Sequence, residues 1–431
     1  MSSEFNYKHI RLPLYGFVGI SKKEDAVLQT PVVQRLRRIK QLSNTYLVYP
    51  GAVHTRLEHS LGTLHLAGIV ADRLKLKKSE KRVLRLAALL HDIGHGPFSH
   101  VFTTPMTWIN GENYTHEDTT IFLIKHDEAL SKALGREKDH VLNVFEDEGS
   151  LLHKIISSEF DIDKLDYLRR DSYHTGVAYG IFDLERVLHT LCKVSEGGRE
   201  YLAVEEKGKD ALESYRLARF AMHLQVYEHH ARLIADDMFI KAMKCAFNEG
   251  CLVKEDFKIS DDINHFIENF LKFDDYSIQH YILNNSRDNA RKLIENIRNR
   301  NLLKRAFMVP LTKEGVKNPL RREKIIKMNR EQIEKIEERI ANELGIDPVH
   351  VIVHLQSIKI KLYERFEETI GKKEKPLLIK KRDGSVISFD EESPISASLN
   401  PIRRLYVFCP KKYVERAKKI AEDIFEVKSA F

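Results

Sequence analysis

The sequence predicts a mainly α protein, with a multi-helix body followed by a smaller α+β C-terminal lobe. Three observations predict it. Apolar residues recur at helical spacing from Thr30 onward. Leu151–Ser172 and Ala211–Phe247 run without proline or glycine, and most short β-like runs come only beyond Arg300. The expected divisions are an extended lead-in over 1–20, a helical body over 21–300 and an α+β lobe over 301–431.

Each element has its own signal. Pro13, Gly16 and Gly19 among hydrophobics mark residues 1–20 as extended or hairpin. Thr30-Pro31 places a capping residue ahead of an N1 proline, and Val33, Leu36, Ile39 and Leu42 continue a helix at spacings of three. A second helix starts near His54 or Thr55, with Leu57, Leu61, Leu64 and Gly68 on one stripe and Arg56 and His59 on a neighbouring face. A third runs from Lys81 to about Asp92 and stops before Gly94. Tyr201–Glu205 has strand character. Beyond Arg300 lie the β-like runs Val351–His354, Pro376–Ile379 and Arg404–Cys409, a charged helix Arg321–Leu344 and an amphipathic helix Tyr413–Phe425.

The 431 residues suffice for a large core and suggest two or three domains. A hydrophobic content of 42%, a charged content of 31% and a formal charge of +7 describe a basic globular chain. That charge fits an anionic ligand such as a nucleotide or nucleic acid, and equally a Lys-rich solvated surface. Cys192, Cys245, Cys251 and Cys409 form no CxxC pair, which argues against a zinc knuckle or a disulfide framework and for reduced thiols. The first residues lack the apolar core of a signal peptide, and no run of about 18 apolar residues occurs. A cytoplasmic protein with no membrane partner is expected.

The chemistry concentrates in His91-Asp92-Ile93-Gly94-His95-Gly96-Pro97-Phe98-Ser99-His100, with His59 upstream and Asp163 downstream. Two imidazoles and two carboxylates without a thiolate suit one divalent ion (Mn, Fe, Ni, Co, Zn or Mg) with open positions for water and phosphate oxygens. Consecutive His91 and Asp92 diverge by about 100° around a helix. The Gly94 stop frees both to turn toward one ion. The alternative is that His91 and His95 are structural histidines at an αα corner.

Four ordered strings carry a resemblance: Gln34–Leu42 (QRLRRIKQL), His54–Gly62 (HTRLEHSLG), His91–His100 and Asp163–Asp171 (DKLDYLRRD). Together they resemble the HD-domain deoxynucleoside triphosphate triphosphohydrolases, in the branch holding the animal SAM-and-HD-domain enzyme and its bacterial and archaeal relatives. The match begins near residue 5, is dense to residue 180 and thins beyond it; no SAM domain is expected ahead of it.

The resemblance implies that His59, His91, Asp92 and Asp163 are the metal ligands. It places Arg56, Lys164, Tyr167 and Arg219 on the triphosphate, with His95 and His100 close to the reacting phosphorus. His116 and its neighbour Glu117 match a further active-site histidine and acid. Gln41 and Asp171 match groups on the sugar 3′-hydroxyl, and Leu42 and Tyr227 match residues that crowd the 2′ carbon and reject ribose. The implied reaction is attack of a metal-activated water at the α-phosphorus, releasing deoxynucleoside and inorganic triphosphate. The leaving 5′-oxygen needs a proton, for which His100 is the first candidate and His116 the second. An ordinary loop histidine is the alternative for each, and a core aromatic is the alternative for Tyr227.

The sequence departs from the family pattern in three places. Thr103 stands where an acid often follows the last histidine of the block, which gives Glu117 more weight. Leu12-Pro13-Leu14-Tyr15-Gly16 replaces an Asp-Pro-(apolar)-His-Gly segment. Gln29 stands where activated members carry an Asp that reads guanine. Lys8, Gln34, Arg37, Arg300 and Lys304 nevertheless match positions that hold an activator nucleotide between subunits, so a polyanionic effector is expected without GTP specificity. Surface or subunit-contact charges are the alternative.

Homodimers or homotetramers follow from the same resemblance. Two further functions compete: another HD phosphohydrolase (nucleotide phosphatase, phosphodiesterase or single-strand nuclease) and a nucleotide-gated nucleic-acid-binding regulator. The aromatic and basic interleaving that single-strand stacking uses is not obvious in the sequence.

Overall fold

The computed structural model describes residues 5, 7–196, 198–259, 262–358, 377–395 and 402–430. The chain forms two compact units. The first takes Met1–Met222, Val253–His280 and Leu362–Ser398; the second takes His223–Leu252, Tyr281–Lys361 and Leu399–Phe431. Compactness therefore divides the chain elsewhere than at residue 300. The reason lies in the strands, which recruit partners from distant segments.

In the first unit, strands Lys8–Leu12 and Gly16–Ile20 form an antiparallel hairpin. Helix α1 (Lys22–Leu28) follows, opened by a capping box between Ser21 and Glu24. Helices α2 (Arg56–Arg73) and α3 (Lys78–Leu90) pack together, and α2 also packs on α5 (Ile162–Thr175). Helix α4 (His116–His126) precedes α5 in sequence, and α6 (Lys209–Met222) follows it. The buried Arg85 of α3 donates to both carboxylate oxygens of buried Glu24, at 2.6 and 3.0 Å, and to the Gly19 carbonyl at 2.8 Å. One guanidinium thus fastens hairpin, α1 and α3 together.

The β content of this unit is a four-stranded sheet in the order Leu191–Glu196, Arg199–Glu205, Leu378–Lys380, Val386–Ser388. Arg199–Glu205 pairs parallel with Leu378–Lys380 and antiparallel with Leu191–Glu196. The run read as Pro376–Ile379 is therefore a strand of the first unit, drawn there because Leu378 packs with Val194, Tyr201 and Ala203. Pro376 itself lies outside the described residues.

The second unit has a three-stranded antiparallel sheet with Ile402–Cys409 between Lys304–Pro310 and Ile352–Ile358. Helices Arg330–Leu344 and Val414–Phe425 bury Ile340, Ala341, Leu344, Ala417, Ala421 and Phe425 in one core with Phe307, Val353, Leu405 and Val407. Helices His230–Asn248 and Asn289–Arg298 pack on each other. The four cysteines are free thiols. Among the described residues, no helix is long and apolar enough to cross a membrane.

Several long helices of the sequence reading are interrupted. The helix expected through Leu42 ends as a 3₁₀ turn at Arg38, and Lys40 instead bridges Thr55. Leu151–Ser172 breaks after Ile156 and restarts at Ile162 behind the capping side chain of Asp161. Ala211–Phe247 passes through a π turn at His223–Tyr227 before helix His230–Asn248 begins. Arg321–Leu344 breaks at Asn329, which caps the second half. In each case a side chain or a tertiary partner satisfies the backbone better than continued helix, which periodicity does not report.

Candidate metal centre

Three segments bring the candidate ligands together. His59 lies in the second turn of α2, His91 is the C-cap of α3, and Asp163 lies in the first turn of α5. His59 Nε2 is 2.9 Å from Asp163 Oδ1 and 3.2 Å from His91 Nε2. His91 Nε2 is 3.8 Å from Asp163 Oδ1, so one oxygen faces both imidazoles. Asp92 follows, with Oδ1 3.5 Å from His91 Nε2 and Oδ2 3.8 Å from His59 Nε2. His59, His91 and Asp163 each offer an atom within 4.8 Å of the others, a group that could hold a metal ion.

The far side of each ring supports that fit. His59 Nδ1 donates to Asp166 Oδ2 at 2.8 Å, and His91 Nδ1 donates to the Ala88 carbonyl at 2.8 Å. Both acceptors take only the Nδ1 proton, so in the neutral rings the two Nε2 lone pairs turn inward toward the same point. Burial disfavours charge on His59, but hydrogen bonds to Asp163 and Asp166 outweigh it and raise its pKa to about 10. Burial likewise works against ionised Asp163 and Asp92. Hydrogen bonds from His59 and His91 hold Asp163 well below the usual carboxylate range, and Arg56 with His91 and His95 does the same for Asp92.

Behind His59 stands a network that the sequence reading did not assign. Asp166 is fully buried and also receives Arg170 Nε and Nη2, each at 2.8 Å. Arg170 continues to Glu58, which accepts from His174 at 3.0 Å. Asp166 lies three residues after Asp163 on the same helix and four before Arg170, a spacing that could have flagged it. Gly62 lets α5 come this close, since a Cβ there would sit 2.0 Å from Asp166 Oδ1.

Arg56 is buried, donating to Asp92 Oδ2 at 2.6 Å and to Ser99 Oγ at 2.7 Å. His95, His100 and His116 form a second cluster. The His95 and His116 rings stack at 3.8 Å, and His100 stands edge-on to His95 at 4.7 Å. Burial and the nearby Arg56 push His95 well below its ordinary value. Burial lowers His116 to about 4, with Asp92 resisting and Arg56 assisting. His100 is exposed. Glu117 is also exposed, in the first turn of α4.

Lys164 and Tyr167 lie near Asp163, and Arg219 lies near both of them. Lys164 pairs with Asp161 at 2.7 Å and Arg219 with Glu159. Burial raises Tyr167 to about 12, against the pull of Lys164 and Arg219. Asp171 is buried and bound by His54 Nε2 at 2.7 Å, while the Gln41 amide nitrogen of the backbone donates to the His54 carbonyl. Leu42 caps the 3₁₀ turn that follows. Tyr227 belongs to the second unit, edge-on to His223 at 5.1 Å.

The effector candidates are spread over both units. Lys8 and Gln29 both bond Asp25, at 3.0 and 3.2 Å, and Gln34 accepts from Arg37 at 2.7 Å while donating to the Leu28 carbonyl. Arg300 adopts a left-handed conformation after helix Asn289–Arg298, and Lys304 opens a strand.

Converging nitrogen and oxygen donors, backed by carboxylates and flanked by cations, define a centre suited to a divalent ion and phosphate oxygens. The family comparisons agree with that class. An HD domain matches residues 56–171 and an HD-associated region matches 182–430. The chain belongs to the HD-domain phosphohydrolase family whose members carry this associated region. An uncharacterized protein of Methanocaldococcus jannaschii is 33% identical over 416 residues, covering 96% of this chain and 81% of its own. The deoxynucleoside triphosphate triphosphohydrolase SAMHD1 of Gallus gallus is 30% identical over 339 residues, covering 68% of this chain and 55% of its own. This chain thus spans about half of that relative. A crystal structure of a phosphohydrolase from Bacteroides thetaiotaomicron VPI-5482 superposes with a TM-score of 0.72 at 28% identity, covering 93% of this chain and 99% of its own.

Proposed function

We propose that this protein hydrolyses deoxynucleoside triphosphates to deoxynucleoside and inorganic triphosphate, using one divalent metal ion at His59, His91, Asp92 and Asp163. The observation that carries the reading is the His59–His91–Asp163 convergence, flanked by Arg56, Lys164 and Arg219 and by three further histidines. The likeness to the Gallus enzyme supplies the substrate class. A bound ion would supply Lewis acidity for water and for phosphate oxygens.

The chain's own groups do the rest. A dNTP carries about four negative charges, and Arg56, Lys164 and Arg219 neutralise and orient them. Water gives up a proton as its oxygen bonds the α-phosphorus, the bond to the 5′-oxygen breaks, and that oxygen takes a proton. Burial and the nearby Arg56 disfavour the charged forms of His95 and His116, and exposed His100 is the proton donor in this reading. Gln41 and Asp171 engage the sugar 3′-hydroxyl, with His54 fixing the Asp171 carboxylate. Leu42 excludes ribose, a role that the family resemblance also assigns to Tyr227. Lys8, Gln34, Arg37, Arg300 and Lys304 receive an anionic effector, and the protein works in the cytoplasm as a homodimer or homotetramer.

The deciding experiment incubates the purified chain with Mn²⁺ and each dNTP and NTP, and identifies the products. Nucleoside plus triphosphate is expected from at least one dNTP. Monophosphate plus pyrophosphate, or orthophosphate alone, would refute the cleavage position.

A further inference from the structure

The loop that carries His95 and His100 contains an unusual backbone feature. Phe98 and Ser99 are consecutive non-glycine residues with φ of +59° and +57°. The left-handed region disfavours L side chains, and a pair in succession requires surroundings that over-determine it. Those surroundings come from residues 177 positions away in sequence.

Asp275 is fully buried. Its Oδ1 accepts the Phe98 N–H at 2.6 Å, and its Oδ2 accepts the Lys40 N–H at 2.9 Å, with Lys40 Nζ at 3.6 Å. The carboxylate thus joins the loop to the segment around Lys40. Ser99 closes the same junction from the other side, its hydroxyl donating to the Lys40 carbonyl at 2.7 Å. That hydroxyl accepts from Arg56 Nε at 2.7 Å, and the other arm of Arg56 holds Asp92 Oδ2 at 2.6 Å. An unbroken chain of contacts runs from Asp275 through Lys40 and Phe98–Ser99 to Arg56 and Asp92. A second strap starts two residues earlier. Buried Arg35 donates to the Phe273 carbonyl and to the His95 carbonyl, each at 2.8 Å, with Phe270 beneath its guanidinium at 4.3 Å. The Phe270–Asp275 segment therefore grips the loop at both His95 and Phe98.

We propose that Asp275 is a positioning residue: by holding Phe98 and Ser99 left-handed against Lys40, it sets Arg56 on Asp92 and places His100. The inference rests on reading this loop as part of the phosphohydrolase centre. Asp275 bonds Phe98 and Lys40 rather than a candidate ligand, so it acts through these contacts.

The test uses the full chain with Asp275→Asn, Ser99→Ala and the double variant. An asparagine keeps the shape, but its amide retains only one of the two backbone N–H bonds. Mn²⁺ affinity is measured by titration, and kcat on whichever phosphate substrate the wild type turns over. Each single variant is expected to lose about tenfold in Mn²⁺ affinity and in kcat, the range seen when groups supporting metal ligands are removed. The double variant should lose no more than the worse single one, because both cut the same chain of contacts. Wild-type Mn²⁺ affinity in a folded Asp275→Asn protein would overturn the proposal, as would losses that multiply in the double variant. If Asp275→Asn does not fold, Ser99→Ala decides: unchanged Mn²⁺ affinity overturns the proposal and a tenfold loss supports it. A wild type that cleaves no dNTP would refute the substrate reading alone, since the Mn²⁺ titration still judges Asp275.

Discussion

At the scale of single residues, the centre depends on groups that hold other groups. Asp166 orients His59 through one 2.8 Å bond while Arg170 neutralises it. Asp166→Asn should therefore weaken Mn²⁺ binding and turnover by about 10–100-fold with the fold intact, as read by metal titration and circular dichroism. The histidine trio separates by burial, with His95 inside and His100 exposed. His116, lowered to about 4, arrives uncharged at neutral pH, whereas exposed His100 is the proposed donor. His100→Ala should then cost about 10²–10⁴-fold in kcat, and His116→Ala distinctly less. Equal losses would assign the proton elsewhere. The sequence offers His59, His91, Asp92 and Asp163 as residue types in a fixed order, and the structure groups His59, His91 and Asp163 within 4.8 Å. Asp166 carried only a hint in its spacing from Asp163 and Arg170, and Asp275 none, because a buried carboxylate reads like any surface acid until its partners are known.

At the scale of elements, buried polar ties govern where helices start and stop. Glu24 belongs to the capping box of α1 and also receives Arg85 of α3. Removing one member leaves the other charge buried and uncompensated, so Glu24→Ala should destabilise the protein by about 3–5 kcal/mol in chemical denaturation. In the second unit, His354 of strand Ile352–Ile358 bonds Asp237 of helix His230–Asn248 at 2.7 Å. Burial disfavours its charge, but Asp237 prevails and raises its pKa. A pKa raised on folding contributes stability in full below the unfolded value of about 6.5, and loses it as pH climbs through the folded value. The stability gap between wild type and His354→Gln should accordingly be widest near pH 5–6 and narrow above neutrality in urea melts. Helix content was legible from apolar spacing. The breaks at Arg38, Ile156 and His223 were not, since periodicity continues through residues whose backbones have found other partners.

At the scale of the whole molecule, the HD motifs rather than the basic charge point to a phosphate-bearing substrate, and the effector question divides from it. Gln29 offers an amide, already bonded to Asp25, where activated relatives use a carboxylate. Turnover should therefore proceed without GTP; a strict GTP requirement in a nucleotide screen would show that Gln29 lacks this meaning. The two compact units, each stitched from separated segments, also bear on what a sequence can tell. By itself the sequence determined the mainly helical class, an extended or hairpin lead-in and a His/Asp set that could hold a metal ion, because each is written within a few turns of chain as spacing and residue type. Only the tertiary structure decided which unit the Leu378–Lys380 strand joins, which carboxylate fixes His59, and how Asp275 reaches Phe98 across 177 residues. Those choices arise from satisfying buried polar groups at a distance, and no local pattern encodes the partner.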